Sequence, residues 1–105
     1  MSNNSIPQLA PAMALAELLR EYPELPPVDW QVSSTGFFSG TWTSDEDVRP
    51  LMDAYTAVLG GVAGSYSYSR NGRERRALQL RTMWRDVHFD LFMSCPASVQ
   101  SAVTA

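Results

Sequence analysis

Six of the chain's eight basic residues fall between Arg70 and Arg85, with Tyr66 and Tyr68 just before them and His88 and Phe92 just after. Arginines among aromatic rings on one surface can bind single-stranded nucleic acid, because bases stack on the rings while guanidinium groups neutralise phosphates. On that reading the phosphate contacts are Arg70, Arg73, Arg75, Arg76 and Arg81. The Gly- and Phe-rich segment of an RNA-recognition motif is absent, and Glu74, Asp86 and Asp90 offer the same arginines local partners on a solvated face. The second chemistry is association. Tyr66, Tyr68, Met83, His88 and Phe92 form an apolar docking patch if they share an uncovered face.

Other reactive types are sparse. His88, Asp90 and Cys95 fall short of a metal-ligand set, and a nucleophilic thiol needs a positioned base. Glu17, Glu21 and Glu24 fall on the wet side of a helix and Asp45 to Asp47 at the start of another, so nothing desolvates them for acid-base work. Gly60, Gly61 and Gly64 lack the lysine of a phosphate loop, and the LxxLL pattern from Leu15 to Leu19 is explained by burial of a helix stripe. No catalytic residue, metal, cofactor or small-molecule substrate is therefore expected.

The bulk composition frames these readings. At 105 residues, 45% hydrophobic and 18% charged, the chain has the makings of one self-sufficient globular domain. The net charge of −3 is uneven: two arginines and eight acids precede residue 70, whereas Glu74 alone offsets the six arginines of residues 70–85. An acidic whole is a poor general polyanion binder, though a local basic patch remains open to one. The lone Cys95 excludes an internal disulfide. The opening MSNNSIPQ has no basic or apolar leader pattern, and no run of about 18 apolar residues occurs, so a cytoplasmic location away from membranes is expected.

The elements that position the candidates follow from periodicity. Leu15, Leu18, Leu19 and Tyr22 mark a helix stripe, with Pro11 in the first turn and Pro23 as the stop. Val28, Trp30 and Val32 alternate as a strand, and Phe38, Gly40 and Trp42 as its return after a turn at residues 34–36. Gly40 between two aromatics suggests a close approach. A second helix carries Leu51, Met52, Tyr55, Val58 and Leu59, with Asp47 expected as N-cap, Pro50 at N3 and Gly60-Gly61 as the end. A strand over residues 62–69, the Asn71-Gly72 turn and a strand over residues 73–84 form a hairpin. A tight turn at Arg85-Asp86 starts the last strand, leaving 95–105 as a flexible tail, 1–7 as a flexible lead and 8–94 as the domain.

That second turn pairs Trp84 with Val87, Thr82 with Phe89, Leu80 with Leu91 and Leu78 with Met93, which puts the apolar residues on one face. Met83, Arg81 and Gln79 then lie opposite His88, Asp90 and Phe92 on the other, and Arg81 and Asp90 become an ion pair. A two-residue Asn71-Gly72 loop pairs Tyr68 with Arg75 and Tyr66 with Ala77, so the tyrosines join this second face.

The stretches ALAELLREYPELPPVDWQV, SGTWTS and DAYTAVLGG resemble a set of small uncharacterised actinobacterial proteins with an Ala/Leu-rich first helix, a Pro-Leu-Pro connector and a strand Trp at the place of Trp30. The resemblance spans roughly the first 60 residues, implies a small cytoplasmic α+β domain, and brings no catalytic residues.

The expected fold is an α+β two-layer sandwich of order α-β-β-α-β-β-β, two helices on one face of an antiparallel sheet of about five strands. Two helices cannot cover both faces. The expected function is a non-enzymatic binding or adaptor module that forms a homodimer or docks a protein partner through the open aromatic face, with nucleic acid as the alternative.

Overall fold

The computed structural model describes residues 7–98. Residues 1–6 and 99–105, which hold most of the two terminal segments expected to be flexible, lie outside the described residues. The order is α1 (Leu9–Glu21), β1 (Asp29–Val32), β2 (Phe38–Thr43), α2 (Arg49–Leu59), β3 (Gly64–Arg70), β4 (Arg73–Trp84) and β5 (Val87–Pro96). It is the expected α+β succession, with both helices on one face of a single five-stranded sheet.

The strands lie in the order β1-β2-β5-β4-β3. Three pairings are antiparallel, but β2 and β5 run parallel, so the sheet is mixed where an antiparallel one was expected. Between β2 and β5 the chain crosses through α2 to the far edge and comes back through a hairpin, which brings β5 in alongside β2 in the same direction. The β4–β5 ladder has the expected register from Trp84↔Val87 to Leu78↔Met93, and it runs on to Cys95 and Pro96. Cys95 is fully buried. The domain therefore continues past Ser94, because the backbone of β4 remains available as a partner there.

The core lies between the helices and the inner face of β5. Phe38 and Phe89, opposite each other in the parallel pair, stack with centroids 4.9 Å apart and planes 10° from parallel. Trp30 bears on both and on Tyr55, with centroid separations of 5.7 to 6.1 Å. This cluster is possible because Gly40, paired with Trp30, has no side chain: a Cβ there would sit 2.8 Å from Val28 Cγ2 and 2.9 Å from Trp30 Cζ3.

Both helices depart in detail from the expected patterns. α1 buries Pro11, Ala14 and Leu18, while Leu19 is 49% exposed, so the buried stripe is rolled away from Leu19. Small residues facing the sheet let the helix sit close, and the indole of Trp84 donates to the Ala14 carbonyl at 2.9 Å. Helix α2 is capped by Val48, with Pro50 at the second helical position, one residue away from the expected frame. Val48 is buried in the core and fixes that start. Asp47 still contributes, accepting from the Arg49 N–H at 3.0 Å. Strand β3 begins at Gly64 and leaves Val62 89% exposed, since Gly60 and Gly61, both at positive φ, steer the chain through an open loop first.

The Tyr55 hydroxyl donates to the Pro26 carbonyl, tying α2 to the proline connector. Burial pushes this phenol up to about 12. A raised phenol is neutral in the fold and ionises earlier in the unfolded chain, so its contribution is complete below pH 10 and is lost as pH rises towards 12. Alkaline titration of the fold by circular dichroism should show a transition in that window, flattened in Tyr55→Phe, a change expected to cost about 1–2 kcal/mol through the lost hydrogen bond. Gly40→Ala should destabilise by about 1–3 kcal/mol through overpacking against Trp30, read by urea unfolding.

Candidate interaction surface

Alternation along the strands sends every second side chain away from the helices. Asn71 and Gly72 both take positive φ, 54° and 77°, as the expected tight turn requires, and the ladder runs without interruption from Arg70↔Arg73 to Gly64↔Gln79. Tyr66, Tyr68, Arg75, Arg81, Met83, His88 and Phe92 therefore all share the outer face. None of the helices lies over it among the described residues. Tyr66 and Met83 are 48% and 50% exposed, His88 is exposed, and Tyr68 and Phe92 are half-buried.

Tyr68 and Phe92 owe their partial burial to neighbours on the sheet. The Tyr68 hydroxyl lies 2.9 Å from Ser94 Oγ, and Arg75 Nε donates to the same oxygen at 2.9 Å while its Nη2 reaches the Ser44 carbonyl at 3.3 Å. Ser94 is fully buried beneath these two side chains. Further along, Arg81 Nε stands 3.3 Å from Asp90 Oδ1, the expected cross-strand pair. Oδ1 has no hydrogen-bond donor among the described residues, so the pair is Coulombic. Turned with its oxygen towards Arg81, the Gln79 amide accepts from that guanidinium at 3.3 Å.

Two shallow hollows flank the Arg81 side chain. One, of about 410 Å³, is walled by Phe37, Met83, His88 and Asp90, and the other, of about 360 Å³, by Val62, Tyr66 and Gln79. Phe37 and Ser94 are contributors that the sequence reading missed. Their signals were present: Phe37 precedes an inward Phe38, and Ser94 is one step beyond the last pair considered.

The arginines do not form a single track. Arg70 and Arg73 face each other at the hairpin end and Arg75 is held by Ser94, whereas Arg81 sits beside Asp90 about 20 Å along β4. Arg76 points to the opposite, helix side, where its Nε has no hydrogen-bond partner among the described residues. Arg85 instead pairs with Glu17 and Glu21 of α1 and lies over the Trp84 ring, centroid distance 5.0 Å, which clamps the second turn. Those two glutamates are thus structural.

His88 and Asp90 are on the outer face and Cys95 on the inner one, so the three do not converge. Among the described residues no group of three or more His, Cys, Asp or Glu could hold a metal ion, and no helix is long and apolar enough to cross a membrane. Comparison with protein-family models, with curated proteins and with solved structures gives no match.

Ser94→Ala strands the Tyr68 hydroxyl and Arg75 together. It should lower stability by about 1–2 kcal/mol in thermal unfolding, and raise the fluorescence quenching of Tyr68 by iodide as that ring loosens.

Proposed function

We propose that this chain is a non-enzymatic interaction module that self-associates through the outer face of its sheet. One observation carries the reading: both helices are spent on the inner face, leaving Tyr66, Tyr68, Phe92 and Met83 on a face with no cover among the described residues. Exposed aromatic and methionine side chains grouped in this way are the composition of an association surface. The face also holds both signs of charge. Arg70 and Arg73 lie on β3 and β4, and Asp29 and Asp90 on β1 and β5, so it complements a copy of itself.

Nucleic acid is less well supported. Arg75 and Arg81 already have partners, Arg76 faces the other way, and a phosphate backbone would meet Asp90 between them.

Light scattering on the eluting protein, over concentrations up to the order of 1 mM to populate even a small interface, should give twice the chain mass. Tyr66→Glu, which places a charge on an exposed position, should return it to the chain mass. A monomer throughout the range would overturn the reading.

A further inference from the structure

The outer face adjoins two sheet edges of very different character. Edge strand β1 is four residues long, is preceded by Pro26 and Pro27, and has Asp29 as its first residue, all features that discourage pairing with another chain. Edge strand β3 has none of these. It runs seven residues, Gly64 to Arg70, without proline, lysine or bulge, and Arg70 at its end is its one charge.

The direction of its free backbone groups follows from the hairpin. A turn with Asn71 and Gly72 at its centre bonds Arg70 to Arg73, and along an antiparallel ladder bonded and non-bonded pairs alternate. Arg70, Tyr68, Tyr66 and Gly64 therefore spend their N–H and C=O groups on β4. Ser69, Ser67 and Ser65 direct theirs at the outer edge, which is open among the described residues. All three serines are exposed, because the helices stop short of this part of the sheet.

The residues of this edge read the same in both directions: Ser65-Tyr66-Ser67-Tyr68-Ser69 is symmetric about Ser67. Resting on the self-association proposed above, we infer that β3 pairs antiparallel with β3 of a second copy, across a two-fold axis at Ser67, so that two five-stranded sheets join into one. Two-fold dimers are isologous, each residue i meeting j while j meets i. On this axis Ser67 meets its own counterpart and Ser65 meets Ser69, and all of these carry outward backbone groups, so every hydrogen bond at the seam has a partner. Tyr66 meets Tyr68 of the other copy as a non-bonded pair, the closer kind, which places four rings along the seam on the outer face. Arg70 falls opposite Gly64, where even an added Cβ would meet no atom within 4 Å. A shift of one residue in either direction would set outward groups against spent ones and end the match.

Ser67→Pro removes an N–H that points at the open edge and takes no part in the β3–β4 ladder. The expected result is a monomer by light scattering with an unchanged circular dichroism spectrum. Ser67→Cys gives a register-specific second test. Paired residues at the axis lie about 5.5 Å apart, within disulfide range, so mild oxidation should give a covalent dimer. Ser69→Cys, equally exposed on the same side, lies about 14 Å from its counterpart and should not cross-link. Met13→Glu, at an exposed position of α1 on the helix side of the sheet, should leave the dimer intact.

The failures are distinguishable. A wild-type monomer up to the order of 1 mM overturns self-association and this inference with it. A dimer lost on Tyr66→Glu or Met83→Glu but kept in Ser67→Pro, with no cross-link through Ser67→Cys, leaves self-association standing and overturns edge pairing in favour of stacked faces.

Discussion

Among the described residues strand β5 is covered by helices on one side only, and the molecule is arranged around that limit. Its inward residues, Val87, Phe89, Leu91, Met93 and Cys95, meet α1, α2 and the aromatic cluster of Trp30, Phe38 and Tyr55. Burying these side chains is the main favourable term for a chain of this size, roughly 2 kcal/mol for each large one. Both helices are committed to that layer. Among the described residues, whatever faces the other way has only its neighbours on the sheet for shelter.

The outer face is adapted to that condition. Near β3 it is polar beneath and aromatic above: Ser94 is buried with both Tyr68 and Arg75 bonded to it, so the tyrosine is anchored at its hydroxyl. Nearer the second turn it is more open, with Phe37, Met83 and His88 around a hollow beside Arg81 and Asp90. The end held by these hydrogen bonds is also the end whose edge strand is unprotected among the described residues. An anchored aromatic beside free backbone groups loses little further entropy on pairing, which is the condition under which a small contact becomes specific.

Legibility differed between residues for identifiable reasons. The β4–β5 register and the outward placing of Tyr66, Tyr68, Arg81 and Phe92 could be read because both turns are two residues long, which locks the alternation of everything attached to them. Gly40 was legible as a close approach, and Trp30 is what approaches. The roll of α1 was not legible. Leu15, Leu18, Leu19 and Tyr22 make a good stripe in isolation, yet the hydrogen bond from Trp84 to the Ala14 carbonyl and the clamp of Arg85 on Glu17 and Glu21 set the helix by partners some 70 positions away. Nor was the parallel pairing of β2 with β5, since strand polarity depends on the path between them and not on either strand's composition.

By itself the sequence determined the elements, the hairpin registers and which side chains share each strand face, all consequences of local periodicity and turn geometry that act within a few residues. The tertiary structure alone decided that β5 lies at the centre between β2 and β4, that Cys95 is core while Ser94 is sealed under Tyr68 and Arg75, and that β3 is an edge strand left bare among the described residues. Those outcomes depend on contacts between residues distant in the chain, where the choice among partners is settled by the packing of the whole sheet against its two helices.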